Sequence, residues 1–94
     1  MDRLKCLIFS FYREDPLIKV ALKPLLGCTI SRGLGIIRID CLDVEHLDEL
    51  SNLIPYLRVP LGLLALGRTI VLQAPGSPER DFPVELPFHS DLFS

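Results

Sequence analysis

Residues 31–35, Ser-Arg-Gly-Leu-Gly, put an arginine beside two glycines. In the right setting such a loop lets backbone amides and a guanidinium hold a phosphate. A Walker-type loop also needs a Gly-Lys-Ser/Thr ending that opens a helix, and a dinucleotide fingerprint needs GxGxxG between a strand and a helix. Here the glycines run into Ile36-Ile37-Arg38-Ile39, which alternates as a strand does, so no helix N-terminus follows to supply the dipole. The stretch is expected to be a hairpin turn, with Arg32 and Arg38 retained as candidate anion contacts on one side of a sheet.

A second group of chemical residues lies at 43–49, where Asp43, Glu45, Asp48 and Glu49 surround His46. Glu45 with Glu49 and His46 with Glu49 have helical ligand spacing, but a metal needs further ligands converging from elsewhere. His89 is the only other histidine. The expected role is therefore a capped, acidic, solvated helix start, and no metal or cofactor is assigned. The three cysteines, Cys6, Cys28 and Cys41, are widely spaced and form no CxxC pair. Each lies among apolar residues, so all three are expected on strands facing a core, where nothing lowers a thiol pKa. Pairing any of them with His46 or His89 as nucleophile and base has no supporting context. Ser10 and Ser31 lack a nucleophile elbow. No catalytic residue is assigned, and the chain is expected not to be an enzyme.

The elements that would position these residues can be read along the chain. Residues 4–11 are apolar on both alternations and predict an internal strand. Asp15-Pro16 opens a helix carrying Leu17, Ile18, Ala21, Leu22 and Leu25, which Pro24 stops or kinks near Lys23. Residues 28–31 and 36–41 predict a hairpin about the glycines. Asp43 caps a second helix with Val44, Leu47, Leu50 and Ile54 inward, ended near Pro55. Residues 58–67 fit neither period and are expected to be a buried connection or short helical turn. Residues 68–74 predict a final strand, and Pro75-Gly76-Ser77-Pro78 breaks it.

This order predicts a ferredoxin-like βαββαβ two-layer α+β sandwich over residues 1–75, followed by a proline-rich arm over 76–94. The alternative is a small three-stranded βαβ-type domain. With 94 residues and 49% hydrophobic content, one core is expected and whole-chain disorder is excluded. A net charge of −2 with ten dispersed cations argues against nucleic-acid binding. No uncharged run approaches the roughly 20 residues that span a bilayer, so no membrane association is expected. The flanking charges of the first apolar run reject a targeting segment. Free thiols point to a reducing, cytoplasmic setting.

The arm is rich in apolar groups for a solvated tail. The arm is expected either to pack back across its own domain or to dock on a partner by strand addition or aromatic anchors, in which case Phe82, Leu86, Phe88, Leu92 and Phe93 are the candidate partner-binding residues. The leading functional expectation is a non-catalytic protein-interaction or assembly module that binds another protein or itself as a homodimer. The alternative is a small-molecule-sensing regulatory domain similar to ACT-type modules in topology only. Its ligand loop would be Arg13, Glu14 and Asp15, between the first strand and helix.

Overall fold

The computed structural model describes residues 3–84 and forms a small α+β domain with a four-strand mixed open sheet. The elements are α1 (Arg3–Phe11), α2 (Pro16–Ala21), a 3-10 turn (Lys23–Gly27), β1 (Thr29–Gly33), β2 (Ile36–Asp40), α3 (Val44–Asn52), α4 (Ile54–Leu63), β3 (Thr69–Gln73) and β4 (Arg80–Pro83). The strands lie in chain order, β1-β2-β3-β4. The β1–β2 and β3–β4 pairs are antiparallel and the central β2–β3 pair is parallel.

The hairpin forms as its alternation predicts, with Gly33 opposite Ile36 and Ile30 opposite Ile39. Its loop is the pair Leu34-Gly35, with φ of 54° and 79°. Two consecutive positive φ values are the type I′ geometry that matches strand twist. Glycine takes that conformation readily, whereas leucine pays roughly 1 kcal/mol for it.

Asp15 and Asp43 cap α2 and α3 as expected, their carboxylates accepting from Ile18 N (3.4 Å) and His46 N (2.8 Å). Pro24 does stop regular helix, converting the chain to the 3-10 turn at Lys23. β3 falls within the range predicted for the last strand, and its parallel partner β2 makes β2–α3–α4–β3 a βαβ unit. Residues 80–83, within the predicted arm, add a fourth strand beside β3.

Two expectations are corrected. Residues 3–11 are a helix, so the ferredoxin-like strand order is not reproduced and the sheet has no strand before β1. An all-apolar run satisfies both periods. Here Leu4, Ile8 and Tyr12 turn inward at four-residue steps, while Leu7 and Phe11 turn outward. The second correction is α4, a ten-residue helix that crosses Pro60 where a buried connection or short helical turn is expected. Proline at that position removes the N–H that would bond the carbonyl four residues back, on Tyr56. The Tyr12 hydroxyl takes that carbonyl instead, at 2.6 Å. A side chain from α1 thus satisfies the backbone group that the proline frees, and it ties α1 to α4. Burial pushes the Tyr12 phenol above its ordinary value, with the Tyr56 and Asp15 charges adding to the shift.

One face of the sheet carries the core. Ile30, Ile37, Ile39, Ile70 and Leu72 pack beneath Leu4 and Ile8 of α1, Leu47 and Leu50 of α3, and Leu57 and Leu61 of α4. The opposite face presents Thr29, Ser31, Arg38, Asp40 and Asp81, all exposed. Among the described residues no helix is long and apolar enough to cross a membrane.

Candidate functional site

The two ends of the β1–β2 hairpin hold the two groups of residues that could do chemistry. At the turn end, β1, the Leu34-Gly35 loop, the end of α4 and the start of β3 enclose a cleft of about 1000 Å³. Arg32 and Arg68 stand on its rim with Gly33, Gly35 and Gly67, and Thr69 is its hydroxyl. α4 ends here in a Schellman motif, with Leu66 N donating to Leu61 O (2.9 Å) and Ala65 N to Gly62 O (3.1 Å). The motif puts Ala65 at φ 54°. Leu34 and Ala65 are the only non-glycine residues with positive φ among the described residues, and both line this cleft. Strained backbone of this kind gathers at ligand sites more than elsewhere.

The glycines set the cleft's shape. A Cβ at Gly67 would come 2.7 Å from Ile37 Cγ1, so β3 can enter the sheet there only without a side chain. Gly35 O accepts Arg68 N at 2.7 Å, which locks the hairpin turn to the start of β3. The Arg68 guanidinium lies over Gly35, its Nε 3.1 Å from where a Cβ would sit. Among the described residues neither Arg32 nor Arg68 has an ion-pair partner, and no carboxylate lines the cleft.

Of the anion contacts expected from sequence, Arg32 is in this cleft and Arg38 is not. Their side chains point to opposite faces of the sheet, since Arg32 pairs with Ile37 and Arg38 with Ser31 and Val71. Arg38 instead sits 3.8 Å from Glu79. The cation that joins Arg32 is Arg68, whose only signal in the sequence was Gly67-Arg68 ahead of a β-branched run.

At the other end of the hairpin, Cys28, Cys41 and His46 bring their ligand atoms within 4.8 Å of one another. Cys28 and Cys41 are buried as expected, whereas Cys6 is exposed on α1 rather than on a core-facing strand. His46 is not a solvated helix residue. Its Nδ1 accepts the Leu42 amide at 3.0 Å, which places the ring proton on Nε2. Nε2 donates to Pro24 O at 2.6 Å and lies 3.5 Å from Cys28 Sγ. A metal needs Nε2 bare and Nδ1 protonated, and the Leu42 amide opposes that tautomer. The thiols are equally unsuited. Burial, followed by the neighbouring Cys41, pushes Cys28 from 9.0 to about 12. Burial also raises Cys41. Thiols held protonated are poor metal ligands. The cluster is a staple that joins the 3-10 turn to the start of α3.

The remaining predicted residues are dispersed. Arg13 and Glu14 follow a helix rather than a strand, so the strand–helix ligand loop is not formed. They border a hollow of about 420 Å³ with Leu7, Ser10, Phe11 and Leu64. Asp15 is used as the α2 cap. Glu45 and Glu49 are exposed on α3. Phe82 lies on β4, half-buried against the core. Leu86, Phe88, His89, Leu92 and Phe93 lie outside the described residues. Comparison with protein-family models, with curated proteins and with solved structures gave no match.

Proposed function

We propose that this chain is a non-catalytic binding module that senses a small ligand carrying a phosphate or carboxylate group. The observation that carries the reading is that Arg32 and Arg68 line one cleft in which, among the described residues, neither has an ion-pair partner and no carboxylate is present. A guanidinium fork accepts either oxyanion in bidentate geometry, and the cleft volume lies at the upper end of ligand sites. Among the described residues the lining contains no histidine, cysteine or acid that could move a proton or attack a carbonyl, so binding without turnover fits it best. Thermal shift with inorganic pyrophosphate, ATP and citrate tests this. At 100 times its dissociation constant a ligand stabilises by about 2.7 kcal/mol. At least one probe should raise Tm in the native chain and fail in Arg32→Ala/Arg68→Ala. No shift with any probe, or an unchanged shift in the double variant, overturns the reading.

A second reading, self-assembly, is favoured by the hollow beside α1. Leu7 and Phe11 are 37% and 40% exposed, and Leu64 is 47% exposed. Arg13 and Glu14 on its border have no ion-pair partner among the described residues. A two-fold axis there would bury the apolar groups and set Arg13 of one copy against Glu14 of the other. Light scattering at micromolar concentration should give a dimer that Phe11→Asp converts to monomer; a monomeric native chain removes this reading.

A further inference from the structure

The antiparallel register of the hairpin ends with Thr29 opposite Asp40. One step further sets Cys28 opposite Cys41. Both side chains project to the core face, two residues from Ile30 and Ile39 respectively, and both are buried. The Cys41 amide donates to Gln73 O at 2.7 Å, so its polar backbone groups point to β3 and away from Cys28. Cys28 and Cys41 therefore form a non-hydrogen-bonded cross-strand pair. That is the pair type with the closer backbones, Cα atoms about 4.5 Å apart, at the short end of the disulfide range. The two Sγ atoms already lie within 4.8 Å.

Burial would make such a pair inert if no reagent could reach it. Cys41, however, lines a surface hollow of about 370 Å³ with Asp40, Gln73, Ala74 and Pro75, between the ends of β2 and β3. We propose that Cys28 and Cys41 are a disulfide-forming site, in which Cys41 is the thiol reached from outside and Cys28 resolves the adduct. The oxidant is a small dialkyl disulfide. The Cys41 thiolate attacks one of its sulfurs, the S–S bond breaks, and the first alkyl thiol leaves. Cys28 then attacks the Cys41 sulfur and displaces the second. Two protein thiols are oxidised by two electrons, the reagent is reduced to two thiols, and the two protons pass to the leaving groups. The bond would close the hairpin at the end remote from the Arg32 cleft, and the inference does not depend on that cleft binding anything.

The test uses the full chain with Cys6→Ser, which removes the exposed thiol, and hydroxyethyl disulfide as oxidant. After quenching, denaturation and alkylation, peptide mapping should find the Cys28 and Cys41 peptides joined within one chain, with the loss of two hydrogens. The oxidised form should also melt at a higher temperature than the reduced form. In a Cys28→Ser variant, a mixed disulfide should accumulate on Cys41. Complete alkylation of both thiols after prolonged oxidation, or a stable adduct on Cys41 with Cys28 still free, overturns the site. Absence of any adduct in Cys28→Ser overturns the assignment of Cys41 as the entry thiol.

Discussion

The turn end of the β1–β2 hairpin leaves its cations without ion-pair partners among the described residues, around an open cleft, whereas the cysteine end holds its histidine by both ring nitrogens. Arg32 and Arg68 make no ion pair among the described residues. His46, by contrast, has one ring nitrogen on the Leu42 amide and the other on the Pro24 carbonyl. Backbone strain follows the same division, with both positive-φ non-glycine residues at the cleft. A residue that completes its own hydrogen bonds stabilises the fold and has little left to offer a ligand. One that stays unpaired contributes little to stability and remains available. The histidine and cysteines, which look most like chemistry in the sequence, belong to the first kind.

The sharpest way to break this contrast is His46→Ala. It removes the part-buried bond to Pro24 O, at about 1–3 kcal/mol for a buried group losing its donor, and frees the exposed Leu42 N–H to water. Urea unfolding should therefore show a loss of about 1–3 kcal/mol, while Arg32→Ala and Arg68→Ala stay within about 0.5 kcal/mol of the native chain. If the arginine variants lose as much as His46→Ala, the division between the two ends fails. Tyr12→Phe comes next, since it leaves the Tyr56 carbonyl freed by Pro60 without its donor; a loss of about 1–2 kcal/mol is expected from the same unfolding measurement.

The cysteine end also has its own pH signature. Folding raises Cys28 from 9.0 to about 12, so the fold favours the neutral thiol. Stability from this group is complete below about pH 9 and is lost as pH rises towards about 12. Urea midpoints measured between about pH 8 and about pH 11 should fall, and Cys28→Ala should flatten part of that slope. The smallest effect is expected on the outer sheet face. Arg38 and Glu79 are 46% and 57% exposed at 3.8 Å, so Glu79→Gln should change stability by no more than about 0.5 kcal/mol.

Local rules carried much of the architecture. The hairpin, the caps at Asp15 and Asp43, the stop at Pro24 and the last strand of the βαβ unit all follow from period, proline and carboxylate placement. Arg32 was legible as a candidate for the same reason, because its loop was. Residues 3–11 were not legible, since apolar groups at nearly every position satisfy the strand and helix periods alike, and only packing against α4 chooses. Pro60 misled for a related reason. Its cost depends on whether the carbonyl it frees finds a donor, and that donor, Tyr12, is remote in sequence.

The sequence by itself determined where the chain turns, which helices are capped and that its apolar groups suffice for one core, because these depend on residues a few positions apart. Tertiary structure decided which cations share a cleft and which thiols share a contact. Arg32 meets Arg68 because β2 and β3 pair in parallel across α3 and α4, and Arg38 is excluded because a strand sends alternate side chains to opposite faces. Those placements arise from long-range strand pairing, which no local pattern encodes.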